Sequence, residues 1–201
     1  MKAHLDLSKF IEAGVIANEL DYNRAIIADR KLRLLAKENA HFKKLRLRLR
    51  DLIEAYEKRV WNDVNRVDEN QIRQSNAFEV IAEKERKFFE ARKLVIRKKL
   101  KEYQLTQEAL GIILGHKSKT HMSELINGIK PFTLKDLVII NQLFKIEFAY
   151  LIPSFLSLED QIKVNNALQT HPQLRTKFTH NENLLTTHLT PSSGLPSTDC
   201  R

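Results

Sequence analysis

Cysteine is almost missing from this chain. Its one thiol, Cys200, is the penultimate residue, which excludes an intramolecular disulfide framework and a cysteine-based zinc site. Glycine is scarce too: five in 201 residues is too few for an all-β fold with its tight turns or for a glycine-rich nucleotide loop. Apolar runs are short, and stretches such as Leu137–Ile140 fall far below the ~18 residues that a membrane span needs. The opening Met1-Lys2-Ala3-His4-Leu5-Asp6 lacks the apolar region of a secretory leader, so the expected location is the cytoplasm.

What remains is a globular composition. Hydrophobic residues make up 42% and charged residues 29%, values at which a chain of this length buries one core or two small ones. Lysine and arginine number 34 against 25 acids, a net +9 that points to nucleic acid, an acidic protein or a membrane surface. The surplus is uneven. Residues 21–60 hold twelve cations against six acids and residues 61–105 eleven against eight, densest in Lys43–Arg50 and Arg92–Lys101. Residues 106–157 are only +1 net, and residues 158–201 are neutral.

Apolar periodicity predicts helices. Residues 1–20 hold an apolar patch around Gly14 and fit no single element. Asp21 is placed to cap a helix from Tyr22 to about Lys37, and a second runs from Phe42 to Trp61. In the second, Phe42, Leu45, Leu49, Leu52, Ile53, Tyr56 and Val60 repeat by threes and fours, with Tyr56, Val60 and Trp61 read as core. Residues 62–75 are polar and read as a linker with at most a short helix. A long pattern free of Gly and Pro follows from Ser75 to Tyr103. After Thr170, His171-Pro172 breaks the pattern, and residues 180–201 read as a disordered tail.

Residues 104–153 carry the chemistry. Thr106 caps a two-turn helix, Gln107–Leu114, stopped by Gly115; Ser118 caps a second, Lys119–Ile126, stopped by Asn127-Gly128. Two short helices joined by a tight turn make a helix-turn-helix. On the second, Met122, Leu125 and Ile126 face a core, which leaves Lys119, Thr120, His121 and Glu124 as a free polar face suited to the DNA major groove. Thr133 caps a third helix with Asp136 at the capping-box position, and Phe148–Ile152 closes the bundle.

These residues resemble a known family. Thr106-Gln107-Glu108-x-Leu110-x3-Leu114-Gly115, Ser123-Glu124-Leu125-Ile126-Asn127-Gly128 and Pro131-Phe132-Thr133-Leu134 are similar to the Cro/C1-type (Xre) helix-turn-helix. Phe144-Lys145-Ile146-Glu147-Phe148-x2-Leu151-Ile152 resembles, more narrowly, HigA-type antitoxins, as do Asp21-Tyr22-x2-Ala25 and Leu52-Ile53-Glu54-Ala55-Tyr56-Glu57 upstream. The resemblance covers about residues 20–153, with a gap at the linker. It departs at Gly111, where the motif has Ala, at one extra residue between Gly115 and Ser123, and in the tail after 157.

The resemblance implies an all-α fold, an N-terminal helical region plus a λ-repressor-like five-helix bundle. It implies that Gln107, Asn127 and Lys130 bind phosphate, and that Lys117, Ser118, Lys119, Thr120 and His121 lie at or in the major groove. It implies a homodimer on double-stranded operator DNA with half-sites ~34 Å apart. It also implies a HigB-like toxin, an mRNA endonuclease held inactive by this chain, and an operon the chain represses itself. A stand-alone Xre-family repressor without a toxin remains the alternative. The expected division is 1–75 for the N-terminal helices, a toxin or dimer surface, 76–157 for the DNA-binding domain, and 158–201 for a short helix and tail.

Other chemistry finds little support. Gln107 and Asn127 also fit plain helix capping, and Lys119–His121 a solvated face. His116 and His121 are five apart, which misses the i,i+4 spacing of a metal pair, and no metal or cofactor is expected. Glu54–Glu57 and Glu83–Glu85 read as surface ion pairs rather than as acid/base pairs. No nucleophile–base arrangement is visible, so neither a nuclease nor any other enzyme is expected. Arg92–Lys101 could lie on a membrane surface, but Glu90 and Glu102 and a modest apolar face argue against it.

Overall fold

The computed structural model describes residues 6–60, 69–156, 158–171 and 173. Among these residues every regular element is an α-helix, nine in all, and none is a strand, in line with the all-α expectation. They are α1 (Leu7–Ala13), α2 (Glu19–Leu35), α3 (Ala40–Val60), α4 (Glu69–Glu102), α5 (Gln107–Leu114), α6 (Lys119–Ile126), α7 (Leu134–Phe144), α8 (Phe148–Leu151) and α9 (Leu158–Gln169). None of them is long and apolar enough to cross a membrane. The residues through Ser154 form one unit and those from Phe155 another.

Local chemistry sets most of the boundaries. Asp6 and Gly14, the latter left-handed at φ 71°, bracket α1 in the stretch whose sequence fitted no element. At α2 the cap is Asn18 rather than Asp21: the Asn18 side chain accepts from Asp21 N at 2.9 Å, and Asp21 becomes part of the first turn. The earlier start lets Leu20 reach the core. Helix α4 also starts earlier than its apolar pattern, at Glu69, so residues 69–75 are helix, not linker. Trp61, the rest of the linker through residue 68 and the 180–201 tail lie outside the described residues.

Two apolar cores organise the first unit. The N-terminal core gathers Leu7 and Ile11 of α1, Ala25 and Leu32 of α2, and Phe42, Leu49, Ile53 and Tyr56 of α3. The second gathers Ile96 and Leu100 at the end of α4 with Leu110, Met122, Leu125, Ile140, Phe144 and Leu151. Helix α4 enters the second core at its end and packs along α2 at its middle. Its middle meets α2 through Glu85, which takes both arms of Arg24 at 2.8 Å and 2.5 Å, and through Glu90, 3.2 Å from Lys31. Glu85 is therefore a buried partner of α2 and not a surface pair.

Arg92 is also buried, although the sequence put it in an exposed basic run. Its guanidinium donates to Leu151 O at 3.3 Å and lies over the rings of Phe89 and Phe132, at 4.9 Å and 5.3 Å. Burial pulls its pKa down to about 10, which still leaves it charged at neutral pH. It thus ties α4 to the last carbonyl of α8, where a cation suits the helix dipole.

In the second unit, Gln161 of α9 turns back to donate to Leu156 O at 2.8 Å. The helix ends as Thr170 satisfies Ala167 O with both its backbone N and its hydroxyl.

Candidate nucleic-acid interface

Helices α5 and α6 follow the caps read from the sequence. Thr106 Oγ1 accepts from Ala109 N at 3.0 Å, and Ser118 Oγ from His121 N at 3.2 Å. Between them Gly115, at φ 86°, turns the chain in a conformation that few side chains tolerate. Gly111 has a second role that its poor helix propensity hides. It is buried where α5 meets the turn and α6, and a Cβ there would sit 3.3 Å from His116 O and 3.5 Å from Met122 Cγ. Glycine lets the two helices approach closely.

The candidate residues divide into an open group and a closed one. Lys117, Ser118 and Lys119 are exposed at the turn and the first residue of α6. Lys119 Nζ meets Glu108 of α5 at 2.7 Å, a surface pair that a stronger anion could displace. Gln107 is half-buried at the start of α5. Thr120 and His121 are half-buried: Asn39 Nδ2 reaches Thr120 Oγ1 at 3.4 Å, and the His121 ring packs edge-on against His116, 4.9 Å between centres.

Glu124 and Asn127 are not on a free face. Only 2% of Glu124 is exposed, and its carboxylate takes His41 Nε2 at 2.8 Å, Lys130 Nζ at 3.0 Å and His121 Nδ1 at 3.4 Å. Burial pushes its pKa up, but the hydrogen bonds from Lys130, His41 and His121 outweigh that and hold it below the ordinary carboxylate range. Asn127 is buried as well. Its amide donates to Ser123 O and Oγ at 2.9 Å and 3.2 Å, while its own carbonyl accepts from Lys31 Nζ at 2.9 Å. Lys130 is half-buried through its bond to Glu124. What closes this side of α6 is the N-terminal layer.

No local pattern marks that layer's position, since its contacts join residues about a hundred positions apart. One signal was present. Ile129 is an apolar residue in a turn between Gly128 and Pro131, with no helix face of its own to join. It is buried in the N-terminal core, and its carbonyl accepts from Leu7 N at 3.0 Å. Helix α6 is thus held between the two cores.

Comparison of the chain with protein-family models, with curated proteins and with solved structures finds no match in any of the three. The site must speak through its own chemistry. Its open part presents two ammonium groups and a hydroxyl beside the backbone N–H groups that begin α6, a set suited to phosphate and to base edges. Acids do lie near the histidines in space, with Asp136 Oδ1 3.1 Å from His116 and Glu124 beside His41 and His121. Among the described residues, however, no three such groups are arranged to hold a metal ion.

Proposed function

We propose that this chain is a sequence-specific binder of duplex DNA whose helix-turn-helix is α5 and α6, set in a Cro/C1-type bundle with the end of α4, α7 and α8. The observation that carries the reading is the open, capped start of α6, where Lys117, Ser118 and Lys119 are exposed beside the backbone N–H groups of its first turn. In this reading Lys119 exchanges Glu108 for guanine O6/N7, and Thr120 meets a thymine methyl or a phosphate. Glu124 and Asn127 take no part in reading bases; they hold α6 at its angle.

The narrower reading is an antitoxin of a type II system that neutralises a HigB-like mRNA endonuclease and represses its own operon as a homodimer in the cytoplasm. It rests on the likeness of residues 21–25, 52–57 and 144–152 to HigA-type antitoxins. Co-expression with the product of a neighbouring short reading frame tests it. The product should be toxic alone, harmless with this chain, and co-purify with it. A harmless neighbour that fails to co-purify leaves a stand-alone repressor.

The DNA reading is tested by selecting duplexes from a random pool and comparing them in gel-shift competition. A defined sequence should be enriched. Changing Lys119 and Thr120 to Ala should remove about 1–3 kcal/mol of discrimination at the contacted base pairs and leave the helical content unchanged. No enriched sequence, or full discrimination in the double variant, would contradict it.

A further inference from the structure

The fold gathers three histidines around α6, and two of them stand at its open start. His116 directly precedes Lys117, and His121 donates its backbone N–H to the Ser118 cap at 3.2 Å. Their rings meet edge-on, 4.9 Å between centres. Each has a carboxylate behind it: His116 Nε2 lies 3.1 Å from Asp136 Oδ1, and His121 Nδ1 lies 3.4 Å from Glu124 Oε2. Both carboxylates are enclosed, while 20% of the His116 side chain and 36% of the His121 side chain stay open. An ionised carboxylate only accepts, so these two ring nitrogens carry the hydrogens. That leaves His116 Nδ1 and His121 Nε2 as the nitrogens that take a proton when a ring charges.

Opposing charges surround the pair. Asp136 on α7 and Glu124 on α6 favour an imidazolium. Against it stand Lys117 in the turn, Lys119 at the first residue of α6, and the positive end of that helix. Lys119 in turn has Glu108 of α5 at 2.7 Å. Glu124 is already shared with Lys130 at 3.0 Å and with His41 of α3 at 2.8 Å. With the ring centres 4.9 Å apart, a proton on one ring repels a proton on the other. The two rings therefore titrate as a unit that holds about one proton. An anion arriving at the start of α6 adds the negative charge that draws this proton on.

We infer that the His116–His121 pair is a phosphate-binding group of the proposed DNA surface, charged by a proton taken from solvent as the duplex docks. The inference rests on the DNA reading, and it adds His116 to the interface. Its contact is to the backbone, so it positions the protein and carries no sequence information. It also links affinity to pH. A proton consumed on binding makes affinity rise as pH falls, until the free pair is itself protonated and the gain ends. Histidine is the side chain whose charge changes between about pH 5 and 8, so a surface of lysines alone would show no such link there.

The test uses the full-length chain and the duplex enriched by the wild type, at constant ionic strength. Titration calorimetry near pH 7 in PIPES and in Tris, whose ionisation enthalpies differ, gives the protons taken up from the difference in heat. The wild type should take up about 0.5–1 proton per bound chain. By fluorescence anisotropy its affinity should fall roughly threefold to tenfold per pH unit within about pH 6–8. His116→Gln/His121→Gln should take up no proton and show an affinity flat over that range. His41→Gln removes the third histidine, on the other oxygen of Glu124, and should keep the wild-type uptake. If the double variant does not fold, the wild type and His41→Gln decide. No uptake by the wild type, uptake retained in the double variant, or uptake lost in His41→Gln would overturn the inference. Each leaves the DNA reading standing, since Lys119→Ala/Thr120→Ala probes that separately. If the wild type enriches no duplex, the DNA reading falls and this inference falls with it.

Discussion

Truncating Phe144 to alanine is expected to lower the unfolding free energy by about 3–5 kcal/mol, read from the midpoint of urea denaturation. Phe144 is the last residue of α7, fully enclosed, at the place where the end of α4, α5, α6 and α8 converge. Its ring lies 5.5 Å from that of Tyr103, just past α4, and Lys145 then leaves the helix with a left-handed backbone. Short helices of eight residues cannot stand alone, so α5 and α6 hold their shape only because this core fixes them. A cavity at its centre therefore removes the geometry proposed to read DNA along with the stability. Phe144→Leu, which keeps much of the volume, should cost about 1 kcal/mol and retain binding.

Glu124→Ala is expected to cost about 2–4 kcal/mol, although it removes a charge from a site predicted to meet an anion. A surface acid at a DNA-reading position would, if anything, improve binding when lost. Here the carboxylate is the point at which His41, Lys130 and His121 converge, and taking it away leaves an ammonium group, two imidazoles and a covered cavity without their partner. The loss should separate α6 from the start of α3, so DNA affinity falls too. The pH dependence has a definite sign. Because the folded pKa of Glu124 lies below its unfolded value near 4.5, this contribution is fully present above about pH 4.5 and fades as pH falls through the lowered value. Wild type and Glu124→Ala should therefore differ in stability at pH 7 and converge in acid. Equal stability at neutral pH would show that the cluster holds nothing together.

Much of this arrangement was legible because its determinants are local. Thr106, Ser118 and Thr133 each cap the helix that the sequence assigns to them, and the Thr133–Asp136 capping box forms in full. The α5, α6 and α7 spans follow from caps, glycines and apolar spacing within a dozen residues. Where two cappers stand three apart, as Asn18 and Asp21 do, local pattern alone does not choose; burial of Leu20 does. The polar start of α4, Glu69–Gln74, has too few apolar residues to register as helix, yet it continues a helix nucleated further along.

The candidate site was legible only in its open half. Lys117, Ser118 and Lys119 lie where the pattern puts them. Glu124 looked like a free polar residue because its partners His41 and Lys130 and its cover come from the fold, not from its own helix. The same holds for Asn127 under Lys31, for Glu85 against Arg24 and for Arg92 among phenylalanines. Charge in a sequence marks solvent by default, and each of these residues departs from that default through at least one partner more than fifty residues away, which for Arg92 is the carbonyl of Leu151.

At the centre stands the proposal that a DNA duplex meets the open start of α6. Amide hydrogen–deuterium exchange of the full chain, with and without the selected duplex, tests it most directly. Slower exchange on binding is expected in residues 115–121, with no change in α9. Protection confined to other segments, with 115–121 exchanging as in the free protein, would contradict it.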